Sequence, residues 1–155
     1  MKKIFKRTFI RNDSRELYLY GYNEHKEKVS KELGVTFPSK PHLRWNIPRQ
    51  EWVTYSTGRR NRTAFPPTKY CPLCPGGNLN FATEIPFKNF EVAIFPNRWS
   101  SFNTHNESLT YDGIETKNSN GHCEVIVYSE KHHDTIANME LDRIKLLLHV
   151  WIDRY

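Results

Sequence analysis

Cys71-Pro72-Leu73-Cys74, followed by Pro75-Gly76-Gly77, is the stretch whose residue types most plainly permit chemistry. Two thiols separated by two residues can turn toward one ion, and the Pro and Gly beside them suit a tight knuckle. Such a pair supplies half of a tetrahedral zinc site. His132 and His133, in Lys131-His132-His133-Asp134 at the end of an apolar run, are the best candidates for a third ligand. Neighbours along an extended chain point in different directions, so one ligand is expected from the two. A redox dithiol and two thiols packed as small apolar groups are the alternatives. A redox pair prefers a helix N-terminus, which Pro-Gly-Gly does not favour. Cys123 falls on an alternating strand face and reads as core.

A second candidate is Ser56-Thr57-Gly58-Arg59-Arg60-Asn61-Arg62. Arginines in a loop after a strand suit phosphate oxygens, which a guanidinium binds bidentately. A solvated basic loop is the plainer alternative. The chain carries no Gly-x-Gly-x-x-Gly, Walker loop, His-Glu-x-x-His or nucleophile elbow. Its residues offer a metal knuckle, an arginine loop and a basic surface, with no evident catalytic base or nucleophile.

The elements that must hold these groups can be read from periodicity. Over 155 residues the chain is 37% hydrophobic and 14% aromatic, enough for a core and against wholesale disorder. The net charge of +6 and pI near 9.3 suit a polyanion such as a nucleotide, sugar phosphate or nucleic acid. Three cysteines are too few and odd in number for a disulfide framework. No apolar run has the length of a signal peptide core or membrane span, so a soluble, cytoplasmic protein is expected.

Lys3 to Ile10 and Glu16 to Tyr20 read as a hairpin around Arg11-Asn12-Asp13-Ser14, with Leu17 and Leu19 on one face and Tyr18 and Tyr20 on the other. A short helix is expected at Glu24 to Leu33. Pro38, Pro41 and Pro48 punctuate an extended connection. Glu51 to Tyr55 and Phe90 to Phe95 read as strands, and Ser100 to Asn120 as a long loop. Cys123 to Ser129 alternates most strongly. The last element is helical, with Leu141, Ile144, Leu148, Trp151 and Tyr155 forming one apolar stripe and Asn138 a plausible N-cap. Strands followed by one late helix imply an α+β fold with an antiparallel sheet. The helix is expected to pack on that sheet through Leu141, Ile144, Leu148 and Trp151.

Six segments then align with one family in order. They are Arg44-Trp45-Asn46 with Glu51-Trp52-Val53, Arg59-x-x-Arg62, Phe65-Pro66-Pro67 with Cys71 to Pro75, Thr83-Glu84-Ile85-Pro86, Glu91 to Trp99, and Cys123 to Ser129 with His132. From Arg44 to Tyr155 the chain resembles the galactose-1-phosphate uridylyltransferases of the histidine-triad superfamily. Residues 1–43 then read as an N-terminal hairpin extension and linker, and 44–155 as the N-terminal transferase domain. The resemblance implies a histidine-triad-like antiparallel half-barrel with a flanking helix. It implies zinc at Cys71, Cys74 and His132, phosphate contacts from Arg59 and Arg62, and a substrate-lining turn at Asn97 and Arg98. Some branches carry Asp after this Asn, where the present chain has Arg98.

The activity so implied is transfer of UMP between glucose 1-phosphate and galactose 1-phosphate through a uridylyl-histidine. UDP-hexose and hexose 1-phosphate are the substrates, and the full-length family is commonly dimeric. The family's nucleophile lies in a His-Pro-His sequence, preceded by a fourth zinc ligand, and this chain contains neither. An incomplete, N-terminal half, inactive alone, is therefore expected. Two other readings compete: a related nucleotidyltransferase or phosphorylase with another base or sugar preference, and a non-enzymatic zinc module that binds nucleic acid. The spread of Lys and Arg along the chain, rather than along one helix, weighs against the last.

Overall fold

A computed structural model describes residues 2–29, 41–61, 71–76, 83–104 and 111–155. The chain forms two interleaved units, one of Met1–Val35, Phe65–Phe95 and Val125–Tyr155, the other of Thr36–Ala64 and Pro96–Glu124.

In the first unit, β1 (Phe5–Ile10) and β2 (Glu16–Gly21) form the expected hairpin, paired from Phe5↔Gly21 to Ile10↔Glu16. β2 pairs antiparallel with β3 (Val92–Pro96), and the sheet is completed by β4 (Glu124–Val127) in the order β1-β2-β3-β4. Strand alternation sends side chains to two faces. Leu17, Leu19, Ala93 and Phe95 join Ile85, Phe87 and Phe90 on one side, with Val125 and Val127 packed against them. Tyr20, Val92 and Ile94 join Leu146 and Val150 on the other, with Tyr18 and Ile126 alongside. Each large side chain so buried contributes roughly 1.5–3 kcal/mol.

The covering element on the second face is α1 (Leu141–Arg154), and its roll differs from expectation. Leu146, Leu147 and Val150 are buried, while Leu141, Leu148 and Trp151 are 63%, 48% and 46% exposed. The sequence Leu-Leu-Leu at 146–148 is apolar around much of the helix, so hydrophobicity alone does not choose a face. Polar anchors choose it. Arg143 donates to the Glu91 and Tyr128 carbonyls at 2.5 and 3.1 Å, and Asp153 accepts from Lys6 at 2.7 Å and from Tyr20. Positions 143, 146, 147, 150 and 153 step by three and four, so these anchors turn one stripe inward. Asn138 is not the cap: it ends a single 3₁₀ turn, Ile136–Asn138, and Glu140 precedes the helix without a side-chain cap bond.

The expected helix at Glu24 to Leu33 is absent over its described part, to Val29. There Arg7 takes the carbonyls of His25 and Glu27 at 3.1 and 2.7 Å, and the Glu27 carboxylate accepts from the Lys88 and Asn89 amides. Groups committed sideways are unavailable to helical i+4 partners. Residues 30–33 lie outside the described residues.

The second unit holds a three-stranded antiparallel sheet in the order β6-β5-β7, comprising β5 (His42–Asn46), β6 (Glu51–Tyr55) and β7 (Thr116–Asn118). β5 and β7 fall where sequence implied connection and loop. Both are short, β7 is polar, and backbone pairing makes them strands: His42↔Tyr55 on one side of β5 and His42↔Asn118 on the other. His42, Arg44 and Tyr55 share a face, where the Arg44 guanidinium lies 4.4 and 4.1 Å from the Tyr55 and Tyr111 ring centres. Residues 105–110 of the expected loop lie outside the description. Among the described residues no helix is long and apolar enough to cross a membrane.

Candidate metal centre

The knuckle closes through the Cys74 N–H, which donates to the Cys71 carbonyl at 3.3 Å. Gly76 follows at φ +81°, a left-handed conformation that glycine adopts without a Cβ clash. Two backbone bonds tie the knuckle to the next described segment: Glu84 N–H to the Pro72 carbonyl at 2.7 Å, and Gly76 N–H to the Ile85 carbonyl at 3.0 Å. Ile85 is fully buried.

His132 arrives from the turn after β4. Ser129 donates to the Asp134 carboxylate at 2.5 Å and accepts the Lys131 N–H at 3.1 Å, while the Asp134 N–H reaches the Lys131 carbonyl at 3.3 Å. This cinched turn presents His132 at its apex, with His133 edge-on to it at 4.8 Å between ring centres. Neither Ser129 nor Asp134 was marked by sequence, since a serine beside a polar loop carries no distinguishing pattern.

Cys71, Cys74 and His132 come together. Their ligand atoms all lie within 4.8 Å of one another, and Cys74 Sγ stands 3.2 Å from His132 Nδ1. Tetrahedral zinc with ordinary Zn–S and Zn–N bonds requires donor separations of about 3.5–3.8 Å. The donor set suits such an ion, and the observed separations, from 3.2 Å to at most 4.8 Å, bracket that range. The cysteines are free thiols, half-buried, whereas His132 is exposed. Burial, then hydrogen bonding and charge from Cys71, push the Cys74 thiol up to about 11. A cation between the sulfurs would reverse that effect. His133 and Cys123 stand outside the group.

The anion-binding candidates lie in the second unit. Arg59 sits in a 3₁₀ turn (Thr57–Asn61), exposed, and donates to Ser101 Oγ at 2.9 Å and the Trp99 carbonyl at 3.4 Å. Asn97 Oδ1 accepts the Trp99 N–H at 2.9 Å, so Arg59 and Asn97 hold the same turn. Arg98 lies over the Trp99 ring at 4.5 Å, and its buried Nε has no hydrogen-bond partner among the described residues. Arg62 lies outside the described residues.

The fold is that of an α+β protein with antiparallel sheets, in which a knuckle and a distant imidazole form a group that could hold a metal ion. Residues 22–155 match the family described as galactose-1-phosphate uridyl transferase, N-terminal domain, and the chain belongs to that family. It is 30% identical over 115 residues to the galactose-1-phosphate uridylyltransferase of Thermotoga maritima, covering 72% of this chain and 34% of that protein. The enzyme of the same name from Saccharomyces cerevisiae is 26% identical over 142 residues, covering 74% and 37%. That from Streptomyces lividans is 27% identical over 95 residues, covering 61% and 22%. A solved structure titled "Structure of uridylyltransferase" superposes with a TM-score of 0.51 at 24% identity, over 73% of this chain and 35% of that one, a likeness of fold. The matches thus span between 22% and 37% of the curated relatives' length.

Proposed function

We propose that this chain is the N-terminal portion of a UDP-glucose–hexose-1-phosphate uridylyltransferase, with zinc bound by Cys71, Cys74 and His132. The observation that carries the reading is the convergence of these three ligand atoms within 4.8 Å in a chain of this family. Zinc, when bound, supplies a structural cross-link between the knuckle and the turn after β4. The sheet is then one part of a histidine-triad-like half-barrel.

Arg59 and Arg62 bind and orient the nucleotide's phosphates, and the turn at Asn97 and Arg98 lines the same substrate. Displacement at phosphorus places charge on the non-bridging oxygens, and fixed guanidinium groups stabilise it. The nucleophile is a histidine of the His-Pro-His type, which this chain does not contain, so its own residues bind and position. The histidine attacks the α-phosphorus of UDP-glucose, glucose 1-phosphate leaves, and galactose 1-phosphate then takes the uridylyl group in the reverse sense. A cytoplasmic homodimer is the assembly that goes with this reading.

The test is an assay of a chain of the relatives' length carrying this domain. UDP-glucose with galactose 1-phosphate should turn over, and ADP-sugars should not. Preference for ADP-sugars would assign another nucleotidyltransferase or phosphorylase. Salt-sensitive RNA binding without turnover would assign the zinc module instead.

A further inference from the structure

We infer that the Arg11–Glu84–Arg15 bridge positions the cysteine knuckle for its metal, so that the β1–β2 turn is a support of the metal centre. This rests on the metal reading above and goes beyond it, because neither the ligands nor the substrate loop includes these residues.

Glu84 has two roles in one residue. Its backbone N–H donates to the Pro72 carbonyl, inside the knuckle, at 2.7 Å. Its carboxylate accepts from Arg11 Nη1 and from Arg15 Nη2, the latter at 2.6 Å. Arg11 also reaches the Thr83 carbonyl at 3.4 Å, and Arg15 is held by Asp13 at 2.8 Å. The side chains of Arg11, Arg15 and Glu84 are only 2–5% exposed. The turn bearing the arginines is itself closed by Arg11 N–H to Arg15 C=O and Ser14 N–H to Arg11 C=O, both 2.9 Å.

Charges taken out of water are costly unless paired, and a pair stripped of one member costs more than the pair gives. Glu84 therefore has one low-energy place, between the two guanidinium groups. That place fixes its amide, the amide fixes the Pro72 carbonyl, and Pro72 lies between the two ligand cysteines. An apolar residue at 84 could fill the space but would leave the knuckle's rotation unspecified. Partners that orient metal ligands from outside the coordination sphere typically control affinity by 10–100-fold.

The experiment measures zinc affinity of the 155-residue chain by competition with a chromophoric chelator, with Co(II) spectra reporting ligand geometry. Glu84→Gln and Arg11→Lys are compared with Val150→Ala, which lowers stability from the opposite face of the sheet. Expected is at least about tenfold weaker zinc binding and altered Co(II) bands in both bridge variants, with Val150→Ala within about twofold of wild type. If Glu84→Gln does not fold, Arg11→Lys, which keeps the charge and loses the fork, decides alone. Folded bridge variants binding zinc like wild type would overturn the inference, as would equal weakening in Val150→Ala. A wild-type chain that takes up no zinc or cobalt overturns the metal reading itself, and this inference with it.

Discussion

Sγ of Cys74 stands 3.2 Å from Nδ1 of His132, across 58 positions of sequence. The sheet makes this meeting possible: the knuckle hangs from residues 84 and 85, and His132 follows β4 on a turn tied by Ser129 and Asp134. Neither partner approaches the other through local sequence.

Metal uptake should require this trio and should be pH-dependent. In the metal-free chain burial and Cys71 raise the Cys74 thiol to about 11, so a cation must displace its proton. Zinc affinity should rise between about pH 6 and pH 8, and Cys71→Ser or His132→Ala should lower zinc content at both. Metal analysis with chelator competition checks this; equal zinc in wild type and Cys71→Ser would refute it.

The roll of α1 predicts an asymmetric mutational pattern. Leu146→Ala removes a fully buried side chain and should cost about 2–5 kcal/mol. Leu148→Ala, at a half-exposed position two residues on, should cost under about 1 kcal/mol. Urea unfolding of the two variants reads the difference directly. Comparable losses would mean that the helix presents the other stripe.

Acid should loosen the same helix. The Lys6 hydrogen bond, then that of Tyr20, holds the Asp153 carboxyl below its ordinary range. A depressed carboxyl contributes stability above its unfolded pKa of about 3.9, and that stability is lost as pH falls through the lower folded value. Asp153→Asn should therefore melt below wild type at about pH 7, and the gap should close as pH falls below the ordinary carboxyl range. A gap that persists in acid would assign the loss to packing.

Arg59 should matter to nucleotide binding twice, as a hydrogen-bond donor to phosphate oxygens and as a brace for the turn at Trp99 and Ser101. Arg59→Ala should weaken UDP-glucose binding by about tenfold or more. Lys145→Ala, an exposed cation on α1, should leave it unchanged. Calorimetric titration on the chain carrying both units distinguishes them; equal effects would reduce Arg59 to general basic charge.

Much of the architecture was already written in local pattern. Alternation at Leu17 to Tyr20 and Val125 to Val127 set two faces of one sheet, because a pleated strand sends successive side chains to opposite sides. Cys71 and Cys74, with a histidine at a strand end, marked the three groups that the fold brings within 4.8 Å of one another. Local pattern reports which positions repeat, and does not report the partner they meet. The helix carried apolar residues on more than one side, so Arg143 and Asp153 bonding to β2, β3 and their flanks decided which stripe went inward. β7 became a strand through backbone pairing that its polar side chains do not advertise, and β5, where Leu43 and Trp45 alternate with polar neighbours over only five residues, through pairing on both of its edges. Glu84 gained its place from two arginines some 70 positions away, and only burial makes that ionic contact specify a position.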